Sequence, residues 1–401
     1  MSREVSYQER LGLAKELADR IEERKDDLLE SAARDAGFSV KVTAIELDLA
    51  VRHLRTLEEE VPQVEGGIPY GVVGAIFPYD APLVMLARLG GSALLSGNRL
   101  RFSFSSRTPQ TARVVAEIAR PFHFLDPIVG TDNRAFGQRC VEDEAVRVLF
   151  LSGSSSVGEA YRQNREAFDK LFFAGPGGMP AAMVLPGADA AAAAGFIARR
   201  AFVNGGQYCT TLKKALIHTN LYEEVRSRIL QEVRALRVGD PRDPRTDIGP
   251  IRVERTRSAV RAALEACPPS AVLEGALDGE WIRPLVVELD EIPDWELFGP
   301  FLALKPFTDV DEAVREVTRT DYGFLLAYFG TPPAWARDAF VENFGMVHDN
   351  PDFTFTPLRL PFGGKKRSGW ILERSAHGWV ERDGAFLYSE ELVKNRGRAA
   401  H

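Results

Sequence analysis

Gly71-Val-Val-Gly-Ala-Ile-Phe-Pro78 is the stretch that decides the fold. It is apolar throughout, too short for a helix and closed by proline, so it predicts a strand buried on both faces. Ala81 to Leu95 follows, apolar at helical spacing, and ends at Gly97-Asn98. Leu100 to Phe104 predicts a second strand. Thr108-Pro109 opens another helix, with proline at its first position. Phe124–Val129 and Arg147–Leu151 predict two more strands. Strands alternating with helices of this length imply parallel βαβ units, which bind ligands at the carboxyl ends of their strands.

Outward from this core, residues 7–60 are rich in Glu, Arg, Leu and Ala, with Leu11, Leu13, Ala14, Leu17 and Ile21 at helical spacing. Two or three scaffold helices are expected there. A second alternation begins near Ala181. Ala188–Phe202 and Tyr222–Leu236 read as helices, and Lys213–His218 as a strand between them. Leu302–Pro306, Glu312–Thr318 and Leu325–Phe329 continue the mixture. The expected architecture is α/β, with two parallel-sheet, Rossmann-type domains and a cleft between them. The expected divisions are N-terminal helices over 1–68, a dinucleotide-binding domain over 69–184, a catalytic domain over 185–366 and a returning C-terminal segment over 367–401.

Composition excludes several classes of function. The chain has 401 residues and a formal net charge of −7, and it offers no basic stripe to nucleic acid or anionic lipid. Its first residues lack the apolar centre of a signal peptide. The apolar run Ala188–Ala201 is broken by Asp189, Arg199 and Arg200, so no membrane span is expected. Cys140, Cys209 and Cys267 are odd in number and widely spaced. That argues against a disulfide framework and for a reducing compartment, the cytoplasm. The histidines form no HExxH pattern and have no Cys-x-x-Cys companion, so no metal site is expected.

Phe202-Val-Asn-Gly-Gly-Gln-Tyr-Cys-Thr-Thr211 carries the chemistry. Glycines there let the backbone approach a ligand closely. Standing alone, the segment would read as a buried structural thiol. It does not stand alone: Asn-x-Gly-Gln-x-Cys-Thr resembles the catalytic segment of the aldehyde dehydrogenases. Before it come Pro69-Tyr-Gly-Val-Val-Gly-Ala-Ile76, Gly97-Asn98 and Phe150-Leu-Ser-Gly-Ser-Ser-Ser-Val-Gly158. After it come Val238-Gly-Asp-Pro241, Asp247-Ile-Gly-Pro250, Glu296-Leu-Phe-Gly-Pro300, Tyr322-Gly323, Gly345-Met-Val-His-Asp-Asn350 and Pro361-Phe-Gly-Gly-Lys-Lys-Arg-Ser-Gly369. The resemblance runs from about Pro69 to Gly369, and the motifs keep the family's order.

The resemblance implies an aldehyde-dehydrogenase-like fold and an NAD- or NADP-dependent oxidoreductase with Cys209 as nucleophile. A thiolate attacking an aldehyde gives a thiohemiacetal, and loss of hydride leaves an acyl-thioester on the enzyme. Cys140 and Cys267 are read as structural. The resemblance places Ile76, Phe77, Pro78 and Tyr79 beside the cofactor, and Gly153, Ser154 and Val157 at its pyrophosphate turn. Orphan N–H groups at a helix start suit that role, although a Ser-rich N-cap is the ordinary alternative. Glu296 and Phe298 match the positions at the nicotinamide ribose and ring. Where the family carries Lys-Pro-Ser-Glu for the adenosine ribose, this chain has Ser103-Phe-Ser-Ser106. Arg101 shares the strand face of Ser103 and is the expected substitute.

Two departures bear on mechanism. Ala174, in Phe173-Ala-Gly-Pro-Gly-Gly-Met-Pro180, stands where hydrolytic members carry the Glu that activates water. Ala-Gly-Pro-Gly is instead similar to the CoA-acylating members, so CoA is an expected co-substrate. Asp80, in Pro78-Tyr-Asp-Ala-Pro82, stands where the family's Asn donates to the oxyanion. An ionised Asp only accepts, whereas a buried protonated one donates. The chain is also shorter than typical members before Pro69, where one arm of the oligomerisation hairpin belongs. A homodimer is still expected, with Gly384-Ala-Phe-Leu-Tyr-Ser389 as the family's last strand. Three readings follow: an enzyme acting on an aldehyde or acyl-thioester, a hydrolytic aldehyde dehydrogenase, and a non-catalytic subunit.

Overall fold

The computed structural model describes residues 5–153, 155–165 and 169–394. Two seven-stranded sheets carry the architecture. From edge to edge the first runs Gly378–Arg382, Trp370–Ser375, Leu171–Pro176, Val146–Gly153, Val72–Phe77, Arg99–Phe104 and Leu125–Ile128. Its five strands from the first half of the chain are mutually parallel. The second runs Met346–Asp349, Leu325–Phe329, Ala181–Val184, Lys214–His218, Phe301–Phe307, Trp281–Glu288 and Val272–Asp278. It is parallel except at its last pair.

Val72–Phe77 lies near the centre of the first sheet because its side chains are apolar on both faces. The helices Tyr7–Glu23, Lys25–Ala36 and Val40–Arg55 cover one of those faces. Leu17, Leu28, Leu47 and Leu54 meet Val73, Phe77, Leu100 and Phe102 in one core. The expected helix over 81–95 forms with a change of pitch. Pro82–Met85 and Gly91–Leu95 are α-helical, and the turn Leu86–Gly90 between them is a π-helix. Such turns are frequent at functional sites, and this one carries Arg88.

The expected α/β fold with two parallel-dominant sheets is present; two expectations need correction, and the sheets carry antiparallel additions. Ala181–Val184 belongs to the second sheet, paired with Leu325–Phe329 and Lys214–His218, so the first domain ends before residue 181 rather than at 184. The sheets are not purely parallel. Trp370–Ser375 and Gly378–Arg382 form a hairpin that adds to the first sheet antiparallel, with Trp370 opposite Ala174 and Ile371 opposite Phe173. Gly384–Ser389 is not a strand. It makes one bridge, Phe362 to Phe386, and then turns into the helix Tyr388–Glu391. Its aromatic side chains pull it inward. Tyr388 stacks on Phe150 at 5.4 Å, and Phe386 packs against Phe173 at 5.0 Å.

Arg162, on the helix Ser155–Gln163, clamps the hairpin. Its Nε donates to Glu381 at 2.9 Å, and its guanidinium lies 5.2 Å from the Trp370 ring centre. Gly158 lets the two pack, because a Cβ there would stand 2.9 Å from the Trp370 ring. No helix among the described residues is long and apolar enough to cross a membrane.

Candidate active site

The carboxyl ends of the first sheet's strands open onto a cleft of about 1060 Å³ shared with the second sheet's loops. Ile76, Phe77, Pro78, Tyr79, Asp80, Gly153, Val157, Cys209, Glu296 and Phe298 all line it. Residues expected from distant parts of the sequence therefore meet. Ser154 lies outside the described residues.

Cys209 sits on the loop between the helix Ala190–Phe202 and the strand Lys214–His218. Asn204, Gly205 and Gly206 turn this loop through three consecutive left-handed conformations. Gly206 is required twice over, since a Cβ there would lie 2.1 Å from the Gly299 carbonyl oxygen. Lys213 staples the same place. Its Nζ, fully buried, donates to Gly206 O at 2.8 Å and Gly299 O at 2.9 Å. It ties the nucleophile loop to the loop bearing Glu296 and Phe298. Arg200 Nε donates to Thr210 O at 3.0 Å, and Thr211 Oγ1 donates to Tyr208 O at 2.7 Å. Lys213→Met should remove one of two donors from each carbonyl, leaving Thr211 Oγ1 on Gly206 O and Phe301 N–H on Gly299 O, and so lower stability by about 1–2 kcal/mol. Urea unfolding followed by circular dichroism checks this.

Electrostatics around the thiol are unusual for a nucleophile. Burial and the Asp80 carboxylate push Cys209 up to about 12, opposed by Arg200 and Arg88. Asp80 is only 5% exposed, and burial raises it to about 7. Arg107 and the backbone N–H of Cys209, which faces the carboxylate, oppose that rise. Glu46 stands behind Asp80. It accepts from Leu83 N–H at 3.2 Å and Val84 N–H at 3.4 Å, capping the helix start, and burial raises it to about 8.

At the cofactor end, Glu296 accepts from Ser155 Oγ at 3.3 Å, at the start of the helix that follows Gly153. Burial raises Glu296 as well. Val157, on the same helix, is 44% exposed, an apolar face open to the cleft. Among the described residues, leaving out its chain neighbours, no atom lies within 4 Å of where a Gly153 Cβ would stand, which suits close approach of a ligand. These features fit a dinucleotide.

Two expected residues are elsewhere. Ser103 is fully buried and donates to Asn133 Oδ1 at 2.8 Å. Arg101 points away from the cleft, with Nε 2.9 Å from Asp126 and Nη1 2.6 Å from Asp143. Strand parity correctly put the two on one face, but that face is covered by the helix Asn133–Glu142 and by acidic partners. Past the carboxyl end of Arg99–Phe104 the cleft is instead lined by Ser105, Ser106, Arg107, Asn133, Arg134 and Gln138. Arg107 was legible only as a charge just past a strand's carboxyl end. Arg88 was legible as a lone arginine in an apolar helical stretch, where a buried charge is rare, whereas Arg200 stands beside Arg199 and the sequence does not say which of the two turns inward.

Arg88 is 3% exposed. Its Nε donates to Leu358 O at 3.3 Å, and its guanidinium lies 4.4 Å from the Phe362 ring centre. Among the described residues it has no carboxylate within ion-pair distance, although it lines the cleft near Cys209.

Comparison with known proteins agrees with this geometry. The model of the aldehyde dehydrogenase family matches residues 2–382. The chain is 28% identical over 397 residues to a 3-sulfolactaldehyde dehydrogenase of Priestia aryabhattai, covering 90% of this chain and 82% of the relative. It is 31% identical over 329 residues to an NADP(+) succinate-semialdehyde dehydrogenase of Mycobacterium tuberculosis, covering 77% of this chain and 70% of the relative. An oxidoreductase from Marinobacter aquaeolei has the same fold, with a TM-score of 0.86 at 22% identity over 98% of this chain and 86% of that one. The chain belongs to the aldehyde dehydrogenase family.

Proposed function

We propose that this protein is an NAD(P)-dependent oxidoreductase that works on an acid-bearing aldehyde, or its acyl-thioester, through a covalent bond to Cys209. The carrying observation is the single cleft that joins Gly153, Val157, Glu296 and Phe298 to Cys209. A bound nicotinamide dinucleotide supplies the hydride acceptor or donor. Phe298 and Glu296 would hold its nicotinamide end, Gly153 and the helix start its pyrophosphate. Arg107 and Arg134, two cations in the cleft lining, favour the 2′-phosphate of NADP. The name of the Mycobacterium tuberculosis relative points the same way.

The chain's own residues set the acyl step. Sγ of Cys209 attacks the carbonyl carbon, and the loop stapled by Lys213 and Arg200 fixes its position. Ala174, almost fully buried at the cleft wall, cannot activate water. A thiol acceptor such as CoA therefore fits the deacylation better, since part of a thiol is already ionised near neutral pH. The reading extends to a cytoplasmic homodimer, which sedimentation would test.

The decisive experiment mixes the protein with acyl-CoA and reads intact mass. A Cys209-borne acyl adduct and saturable NADP+ binding by calorimetry are expected. No adduct with any acyl-CoA or aldehyde, together with no cofactor binding, would leave the non-catalytic reading.

Arg88 supports the acidic substrate. A buried cation facing a cleft without a carboxylate partner suits an anion on the far end of the substrate. The names of both relatives specify aldehydes with such a group. Arg88→Met is expected to raise KM for succinate semialdehyde about 30- to 1000-fold, on a loss of roughly 2–4 kcal/mol. KM for a neutral aldehyde of equal length should change little. Equal changes for both would remove the assignment.

A further inference from the structure

The cleft has no histidine or lysine in its described lining, and its carboxylates are Glu46, Asp80 and Glu296. Glu296 is engaged at Ser155, and Glu46 at the N–H groups of Leu83 and Val84. Of the three, Asp80 is the carboxylate whose charge bears on the Cys209 thiol, and the backbone N–H of Cys209 in turn holds Asp80 down. We infer that Asp80 takes the Cys209 proton as Sγ attacks, and that the carboxylic acid so formed then donates to the oxyanion. The proposal rests on the reading of Cys209 as nucleophile.

The balance is complete within the site. The S–H bond breaks and an O–H bond forms on Asp80. The sulfur pair makes the C–S bond, and the carbonyl π pair moves onto oxygen. One proton transfer thereby turns a repulsive carboxylate into the hydrogen-bond donor that the oxyanion needs. It also releases the Cys209 N–H, which now faces that carboxylate, to the same oxyanion. When the acyl group leaves, the proton returns to sulfur or passes to solvent.

The surroundings suit the exchange. A thiol pushed up to about 12 holds almost no thiolate near pH 7, so it needs a base in contact. Asp80 is raised by burial and held down by its own backbone N–H, by Arg107 from the loop after Arg99–Phe104 and by the backbone N–H of Cys209. Burial raises Glu46, on the helix Val40–Arg55, and Tyr208, on the nucleophile loop, and the Asp80 charge in turn adds to both. Arg88 and Arg200 act on the thiol itself. Because the carboxyl is raised to about 7, it is ionised and able to take a proton above that pH, and already protonated below it.

The test is the rate at which iodoacetamide alkylates Cys209 in the full chain, without cofactor or aldehyde, read by peptide mass from pH 5 to 10. The wild-type rate should rise through about pH 7 and then level. In Asp80→Asn it should fall at pH 7.5 by roughly 10²-fold, the lower end of what a positioned base contributes. The residual rate should climb steadily with pH. A purely repulsive Asp80 predicts the opposite sign, because removing its charge makes the thiol more acidic and alkylation faster. An unchanged or faster rate in Asp80→Asn overturns the proposal. Asp80→Ser, which should also react slowly, serves if the Asn variant melts early. Alkylation governed by Asp80 in a protein without turnover would sink the proposed function and leave this inference standing.

Discussion

Cys209→Ala abolishes the acyl adduct and lowers aldehyde turnover on the order of 10⁴-fold or more, as expected when a covalent nucleophile is lost. No other thiol can replace it. Cys140 is buried in the core beside Phe136 and Leu149, and its burial pushes it up to about 11. Cys267 is buried and donates to the Ala263 carbonyl at 3.2 Å. Neither lines the cleft. Cys140→Ser and Cys267→Ser should therefore keep the adduct, and intact mass distinguishes all three variants. Binding of NADP+ should survive in Cys209→Ala, because Gly153, Val157 and Glu296 do not depend on the thiol. Loss of cofactor binding in that variant would mean a collapsed loop rather than a missing nucleophile.

Much of this was readable because it is local. The run 71–78 is apolar, short and closed by proline, and it could only be a buried strand. The left-handed turn before Cys209 needs glycines at 205 and 206, and the sequence displays them. Asp80 and Ala174 were visible as departures because each stands inside a motif of fixed spacing. What failed was non-local. Strand parity says that Arg101 and Ser103 share a face, but not that Asp126 and Asp143 hold the arginine there. The hairpin at 370–382 pairs with a strand some 200 residues earlier, and no sequence periodicity reports such a partner. Glu46 lies on a helix read as scaffold. Its role depends on where the start of the helix at Pro82 comes to rest.

Ala174→Glu is expected to speed hydrolysis of the acyl-enzyme by about 10²–10³-fold at pH 8, within the range of a positioned general base. The residue lies in the inner strand Leu171–Pro176, lines the cleft and is opposite Trp370 in the neighbouring strand. The Trp370 indole N–H is buried without a hydrogen-bond partner among the described residues, so the wall that receives the new carboxylate holds a spare donor. In the wild type the acyl-enzyme should persist in water and clear quickly with added CoA. The Asp80 inference gives the physical reason. Having taken the thiol proton, Asp80 is a neutral acid as the acyl-enzyme forms, and below about pH 7 it stays one and cannot deprotonate water. Glu46 is occupied with its two backbone donors. Below that pH water therefore meets no base on either side, whereas the ionised fraction of a thiol needs none. Single-turnover mass spectrometry of the acyl-enzyme, with and without CoA, measures both rates. Rapid wild-type hydrolysis without CoA, unchanged by Ala174→Glu, would show that another group activates water and would return the chain to the hydrolytic branch.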